Sequence, residues 1–149
     1  MRTEEIPSVR MWNLILFGQG LTHLGVIHHL FPFSLGNLCQ SGIDIGSAHI
    51  SGNTGILGMD FDLYYDDTIM TLVDAKSAID DPGSFFTPPA YYRNPTSFLW
   101  DFQDTGWAAD GTVLTLTFDI SESAPAGEYA VKLMYSYGNI FDADANPID

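Results

Sequence analysis

Asp60 and Asp62 stand two residues apart in Gly58-Met59-Asp60-Phe61-Asp62-Leu63-Tyr64-Tyr65, a run that alternates polar and apolar side chains. A period of two puts both carboxylates on one face of a strand, about 7 Å apart, twice the rise per residue. That separation overlaps the one used by paired glycosidase carboxylates. An acid–base pair also needs a cleft that raises the pKa of one member, and an open strand face offers no such desolvation. The two aspartates therefore read as a solvated or binding face before they read as a catalytic pair.

Three other groupings have chemical potential. Asp142, Asp144 and Asn146 alternate in the manner of a calcium loop, but Pro147 occupies the sixth position, where such a loop needs glycine. A polar turn is the simpler reading. Trp100, Trp107, Tyr91 and Tyr92 are candidates for stacking on sugar rings; Trp100 alternates with Leu99 and reads as core, whereas the other three lie in loop-like sequence. His23, His28, His29 and His49 match no zinc-ligand spacing. No Gly-rich phosphate loop, no Ser-His-Asp order and no activated cysteine is present. These residues point to recognition rather than catalysis.

The elements that must position them are strands. Met59, Phe61, Leu63 and Tyr65 form one buried face; Ile69 to Val73 is a second apolar run; Phe98, Trp100 and Phe102 fall in step in a third. Asp110-Gly111, a turn pair with a hairpin signal, precedes Thr112 to Ile120, where Leu114, Leu116, Phe118 and Ile120 alternate with Val113, Thr115, Thr117 and Asp119. Tyr129, Val131, Leu133 and Tyr135 alternate once more. Residues 80–94, with Pro82, Pro88 and Pro89, are expected to be loop or sheet edge, because proline donates no ladder hydrogen bond. Short alternating strands between turns predict an all-β sandwich or barrel, with Phe61, Leu63, Leu116, Phe118, Val131 and Leu133 in its core.

Charge and composition divide the chain. The net charge is −14, from 5 Lys+Arg and 19 Asp+Glu. Nucleic acid and anionic membranes select for clustered positive charge, so both are poor partners for this chain. Residues 1–46 carry three acids and two bases, and residues 47–149 carry sixteen and three. All four histidines and Cys39 precede residue 50, while all seven tyrosines follow residue 63. One cysteine excludes an internal disulfide framework. The stretch Met11 to Phe33 is apolar but broken by Asn13, Gln19, three histidines and three glycines, which suits neither a membrane span nor a signal peptide. Residues 1–46 are therefore left unassigned and expected to pack apart from a sandwich over 47–149, as a mis-called start, a shifted frame or a degenerate signal or anchor.

Residues 51–75, SGNTGILGMDFDLYYDDTIMTLVDA, resemble the third and fourth strands of cohesin domains. TSFLWDFQDTG resembles the sixth strand and its loop, and ADGTVLTLTFDISESAPAGEYAVKLMYSYGNIFDADANPID resembles strands seven and eight. The resemblance covers 50–149 and implies a nine-stranded jelly-roll β-sandwich, incomplete here: the ninth strand is absent and the first two are unmatched. It implies a non-catalytic, extracellular, bacterial adhesion module that binds a dockerin carried by an enzyme or scaffold protein, in a cellulosome that degrades plant polysaccharide. No cofactor is implied, since the calcium belongs to the dockerin. The resemblance assigns dockerin contact to Gly58, Asp60, Asp62, Tyr64, Tyr92, Leu99, Asp101, Lys132 and Met134. Asp60 matches the family aspartate that accepts hydrogen bonds from dockerin hydroxyls, and Gly58 stands where many members have asparagine. The alternative readings are a carbohydrate-binding module of a secreted polysaccharide-degrading protein, which requires exposed aromatics in a row, and a glycoside hydrolase fragment using Asp60 and Asp62.

Overall fold

The computed structural model describes residues 10–17, 29–35, 42–103, 106–125 and 127–148, and every element in them is a strand. In chain order they are β1 (Arg10–Phe17), β2 (His29–Leu35), β3 (Gly42–Ser51), β4 (Gly58–Tyr64), β5 (Met70–Ser77), β6 (Ser84–Thr87), β7 (Thr96–Phe102), β8 (Gly111–Ile120), β9 (Gly127–Met134) and β10 (Ile140–Phe141). They form two sheets, one ordered β1-β3-β8-β5 and the other β2-β9-β4-β7-β6, with β10 also on β4. No helix among the described residues is long and apolar enough to cross a membrane.

The sheets face each other across a core that alternation builds. Met59, Phe61 and Leu63 of β4 and Phe98, Trp100 and Phe102 of β7 are buried, as are Leu116 and Phe118 of β8 and Val131 and Leu133 of β9. All six residues expected in the core are at most 1% exposed. Aromatic packing concentrates at Trp100, whose ring lies 4.6 Å from Phe86 and 5.1 Å from Phe61, centroid to centroid. Its indole N–H donates to Ser77 Oγ on the opposite sheet at 3.0 Å, which satisfies the one polar atom of a buried side chain.

Two bulges shift the alternation. Ala48 pairs with Leu114 and His49 with Thr112, so Val113 is an extra residue in β8. Val113 was expected to face outward with Thr115; the bulge turns it inward, and Val113 and Leu114 are both fully buried. In β5, Leu72 pairs with Phe118 and Asp74 with Thr117. Val73 is the extra residue there, exposed on the outer surface, and Ala75 takes the next inward position.

The hairpin expected at Asp110-Gly111 does not form, because β7 and β8 lie in different sheets. The segment between them crosses from one sheet to the other and is stitched to the β3–β4 loop by Asn53. The Asn53 side-chain amide donates to Trp107 O at 2.9 Å and Ala109 O at 3.0 Å, while its backbone N–H donates to Asp110 Oδ1 at 2.8 Å. Those backbone donors, from Asn53 and Gly52, hold the Asp110 carboxyl below its usual range.

The backbone of β1 runs parallel to β3, and β2 runs antiparallel to β9. Strand pairing thus extends across the boundary drawn at residue 47, and β3 itself begins at Gly42. His23, His28 and Cys39 lie outside the described residues.

Candidate functional site

The outer face of the β2-β9-β4-β7-β6 sheet carries most of the residues singled out above. Because Met59, Phe61 and Leu63 point inward, Gly58, Asp60, Asp62 and Tyr64 must point outward. Cross-strand partners share a face, so the register lays out the rest. Gly58 pairs with Asp101, Asp60 with Leu99 and Asp62 with Ser97 on the β7 side; Asp62 pairs with Met134 and Tyr64 with Lys132 on the β9 side. One step further, β6 sets Phe85 opposite Asp101 and Thr87 opposite Leu99.

The face has an apolar middle among carboxylates. Leu99 is 40% exposed and Phe85 53%, so two large apolar side chains of this face stand out to solvent. Asp60, Asp62 and Asp101 alternate with them. Burial pushes the Asp60 carboxyl above its usual range, and the neighbouring Asp62 charge adds to the shift. Part of that face is therefore less solvated than a flat strand suggests. The Ser97 hydroxyl donates to Asp62 Oδ1 and fixes that side chain on the sheet. Beyond Tyr64 and Lys132 the surface dips into a groove of about 380 Å³, whose other walls include Tyr65, Asp66 and Tyr129.

Two assigned residues sit differently from expectation. Tyr92 is not on this face: it packs against the core, and its hydroxyl accepts the Ala75 N–H at 3.0 Å, tying the segment after β6 to β5 of the other sheet. Gly58 is on the face but buried, because Phe141 of β10 pairs with it and lays its ring over it. A Cβ built on Gly58 would meet Phe141 Cζ at 2.4 Å, so a larger residue there would have to displace the ring. Sequence reasoning missed Phe141 and Phe85. Phe85 was hidden by the surrounding prolines. Phe141 belongs to a two-residue strand, too short to show alternation.

The other candidate chemistries do not assemble. Trp107 was expected in a free loop, yet it is buried and stacks on Phe102 at 5.8 Å with a 13° interplanar angle. With Trp100 and Trp107 in the core and Tyr92 tied to β5, Tyr91 is the member of that quartet left well exposed, with Arg93 over its ring at 5.4 Å. The Asp142 carboxylate is used within its own turn: Oδ1 accepts the N–H groups of Asp144 at 2.9 Å and Asn146 at 2.8 Å. Those donors hold its pKa below the usual range. Among the described residues no cluster of His, Cys, Asp or Glu could hold a metal. His49 lies between the Ser47 and Thr112 hydroxyls, at 3.2 and 3.1 Å.

Comparison with known proteins agrees with the fold. A search of curated proteins finds no match. One chain of the crystal structure of the Coh-OlpC-Doc435 complex, a type I cohesin–dockerin complex from Clostridium thermocellum ATTC 27405, superposes with a TM-score of 0.52. The two share 17% identity over 99% of this chain and 91% of that one, a likeness of fold. The sequence model of the cohesin domain matches residues 44–149, most of the chain and all but the first residues of the strands that build both sheets from β3 onward. With that match on a two-sheet, all-β frame, the chain belongs to the cohesin domain family.

Proposed function

We propose that this chain is a non-catalytic adhesion module that binds a dockerin through the outer face of the β2-β9-β4-β7-β6 sheet. The observation that carries the reading is the register Asp60↔Leu99, which sets a partly desolvated carboxylate beside an exposed apolar side chain at the middle of the sheet. A specific interface commonly has this anatomy, an apolar centre inside a polar rim. Leu99 supplies the anchor, Asp60, Asp62 and Asp101 accept hydrogen bonds from hydroxyl or basic side chains of the dockerin, and Lys132 and Met134 bound the face on the β9 side. The wider setting that goes with family membership is an extracellular cellulosome scaffold serving polysaccharide breakdown. The carbohydrate-module reading loses its support with Trp107 and Tyr92 withdrawn from the surface.

Amide hydrogen exchange on the chain with and without a bound dockerin tests the choice of face. Slowed exchange should concentrate in β4, β6, β7 and β9. Protection centred on β5 and β8 instead would place the dockerin on the opposite sheet and discard the assignment.

A further inference from the structure

Gly58 and Phe141 form a pair that the docking reading does not yet use. Ile140 points into the core at 7% exposure, so its neighbour Phe141 points to the outer face. There it would ordinarily stay in its own column, beyond β4. Gly58 has no side chain, and the Phe141 ring slides over it into the β4 column, within 2.4 Å of where a Cβ would stand.

The register shows what that shift achieves. Gly58 pairs with Asp101 and Asp60 with Leu99, so a ring above Gly58 is the diagonal neighbour of Leu99. Phe85 pairs with Asp101 from the other side, so it too is diagonal to Leu99. Diagonal neighbours lie about 7–8 Å apart, within reach of aromatic and long side chains. Leu99 thus stands at the apex of an apolar chevron, Phe141–Leu99–Phe85, with Asp101 between its arms and Asp60 beside its apex. A glycine replaced by any larger residue would break one arm.

We propose that Phe141, seated over Gly58, is a specificity-determining residue of this face, and that the chevron selects a dockerin helix presenting a large apolar side chain flanked by Lys or Arg over one presenting Ser or Thr there. The inference rests on the dockerin-binding reading above. Charge complementarity identifies the occupant: Asp60, Asp62 and Asp101 surround the apolar arms on a chain of net charge −14. An apolar side chain seated on the chevron covers Phe141, Leu99 and Phe85 while its basic neighbours pair with Asp60 and Asp101, whereas a hydroxyl there gains a hydrogen bond from one carboxylate and leaves the apolar arms uncovered.

The test is calorimetric titration of the full chain with calcium-loaded recombinant dockerins in two groups, those with Leu, Ile or Phe between the basic residues of the recognition helix and those with Ser or Thr. The wild-type chain should prefer the apolar group by about tenfold or more, in keeping with the cost of losing a central contact. Phe141→Ala should remove about tenfold from the apolar group and less than about twofold from the other. Gly58→Ala should do the same by displacing the ring. Phe141→Leu, which keeps β10 apolar, should narrow the preference in the same direction and decides the matter if the other two variants fail to fold. Equal losses for both groups, or an unchanged preference in Phe141→Leu, overturn the specificity role. If in addition Asp60→Ala weakens every dockerin, the docking reading stands without it. Wild-type chain that binds no dockerin of either group overturns both.

Discussion

At the scale of single residues, Asp60 carries the most weight. Its carboxyl is raised by burial first and by Asp62 second. A carboxyl whose folded pKa exceeds its unfolded value keeps its proton longer in the folded chain, so stability falls as pH rises through that interval. Ionised Asp60 is therefore a cost in the isolated module and a gain once a donor arrives. Dockerin affinity should fall as pH is lowered, starting at a higher pH than an unperturbed aspartate would give, and Asp60→Asn should flatten that part of the profile. Titrations repeated between about pH 7 and pH 4 check this against the ordinary carboxylate range. At neutral pH, Asp60→Ala should cost about 2–5 kcal/mol of binding, roughly 30-fold or more, as expected for a hydrogen-bonded interface charge. Leu99→Ala should also weaken binding. Asp74→Ala should change little: Asp74 pairs with Lys76 at 2.6 Å on the other sheet, with both side chains well exposed.

Among the elements, the long strands announce themselves and the short ones do not. β4, β7 and β9 hold clean alternation because each has one face on the core and one in water, and that pattern is readable before any coordinates. Grouping Asp60, Asp62, Leu99, Asp101, Lys132 and Met134 came from the resemblance to cohesins rather than from alternation, and the register sets them on one face of the sheet. What alternation hid has a physical origin. A bulge adds a residue without changing composition, so Val113 read as outward although it is buried. A four-residue strand between prolines concealed Phe85, and the excursion 135–139, which opens β9 before β10, concealed Phe141. Both sit where the site is most apolar. Tyr92 failed for another reason: its role is set by a partner, the Ala75 N–H, in the facing sheet. The Asn53 stitch is likewise non-local. Asn53→Ala leaves the Trp107 and Ala109 carbonyls without that donor and should cost about 1–3 kcal/mol of stability. A thermal melt reads this directly, and dockerin affinity should be unchanged, since Asn53 serves the loop where the chain crosses between sheets rather than the candidate docking face.

The whole molecule divides its labour between the sheets. One sheet presents the candidate docking face; the other braces it through Leu116, Phe118 and the Ser77 contact to Trp100. Phe61, under Asp60 and packed on Phe98 and Trp100, links core to face. Phe61→Ala should lower stability by about 3–5 kcal/mol and weaken dockerin binding only to the extent that the chain unfolds, which a denaturant titration at fixed dockerin concentration separates. The most direct measurement for the account as a whole is calorimetric titration of the wild-type chain, Asp60→Ala, Leu99→Ala and Asp74→Ala with a panel of calcium-loaded dockerins, beside a cellulose pull-down of the same proteins. The account predicts that at least one dockerin binds wild-type and Asp74→Ala alike, that Asp60→Ala and Leu99→Ala lose most of that affinity while melting as the wild type does, and that cellulose retains none of them. Retention on cellulose with no dockerin bound would contradict it.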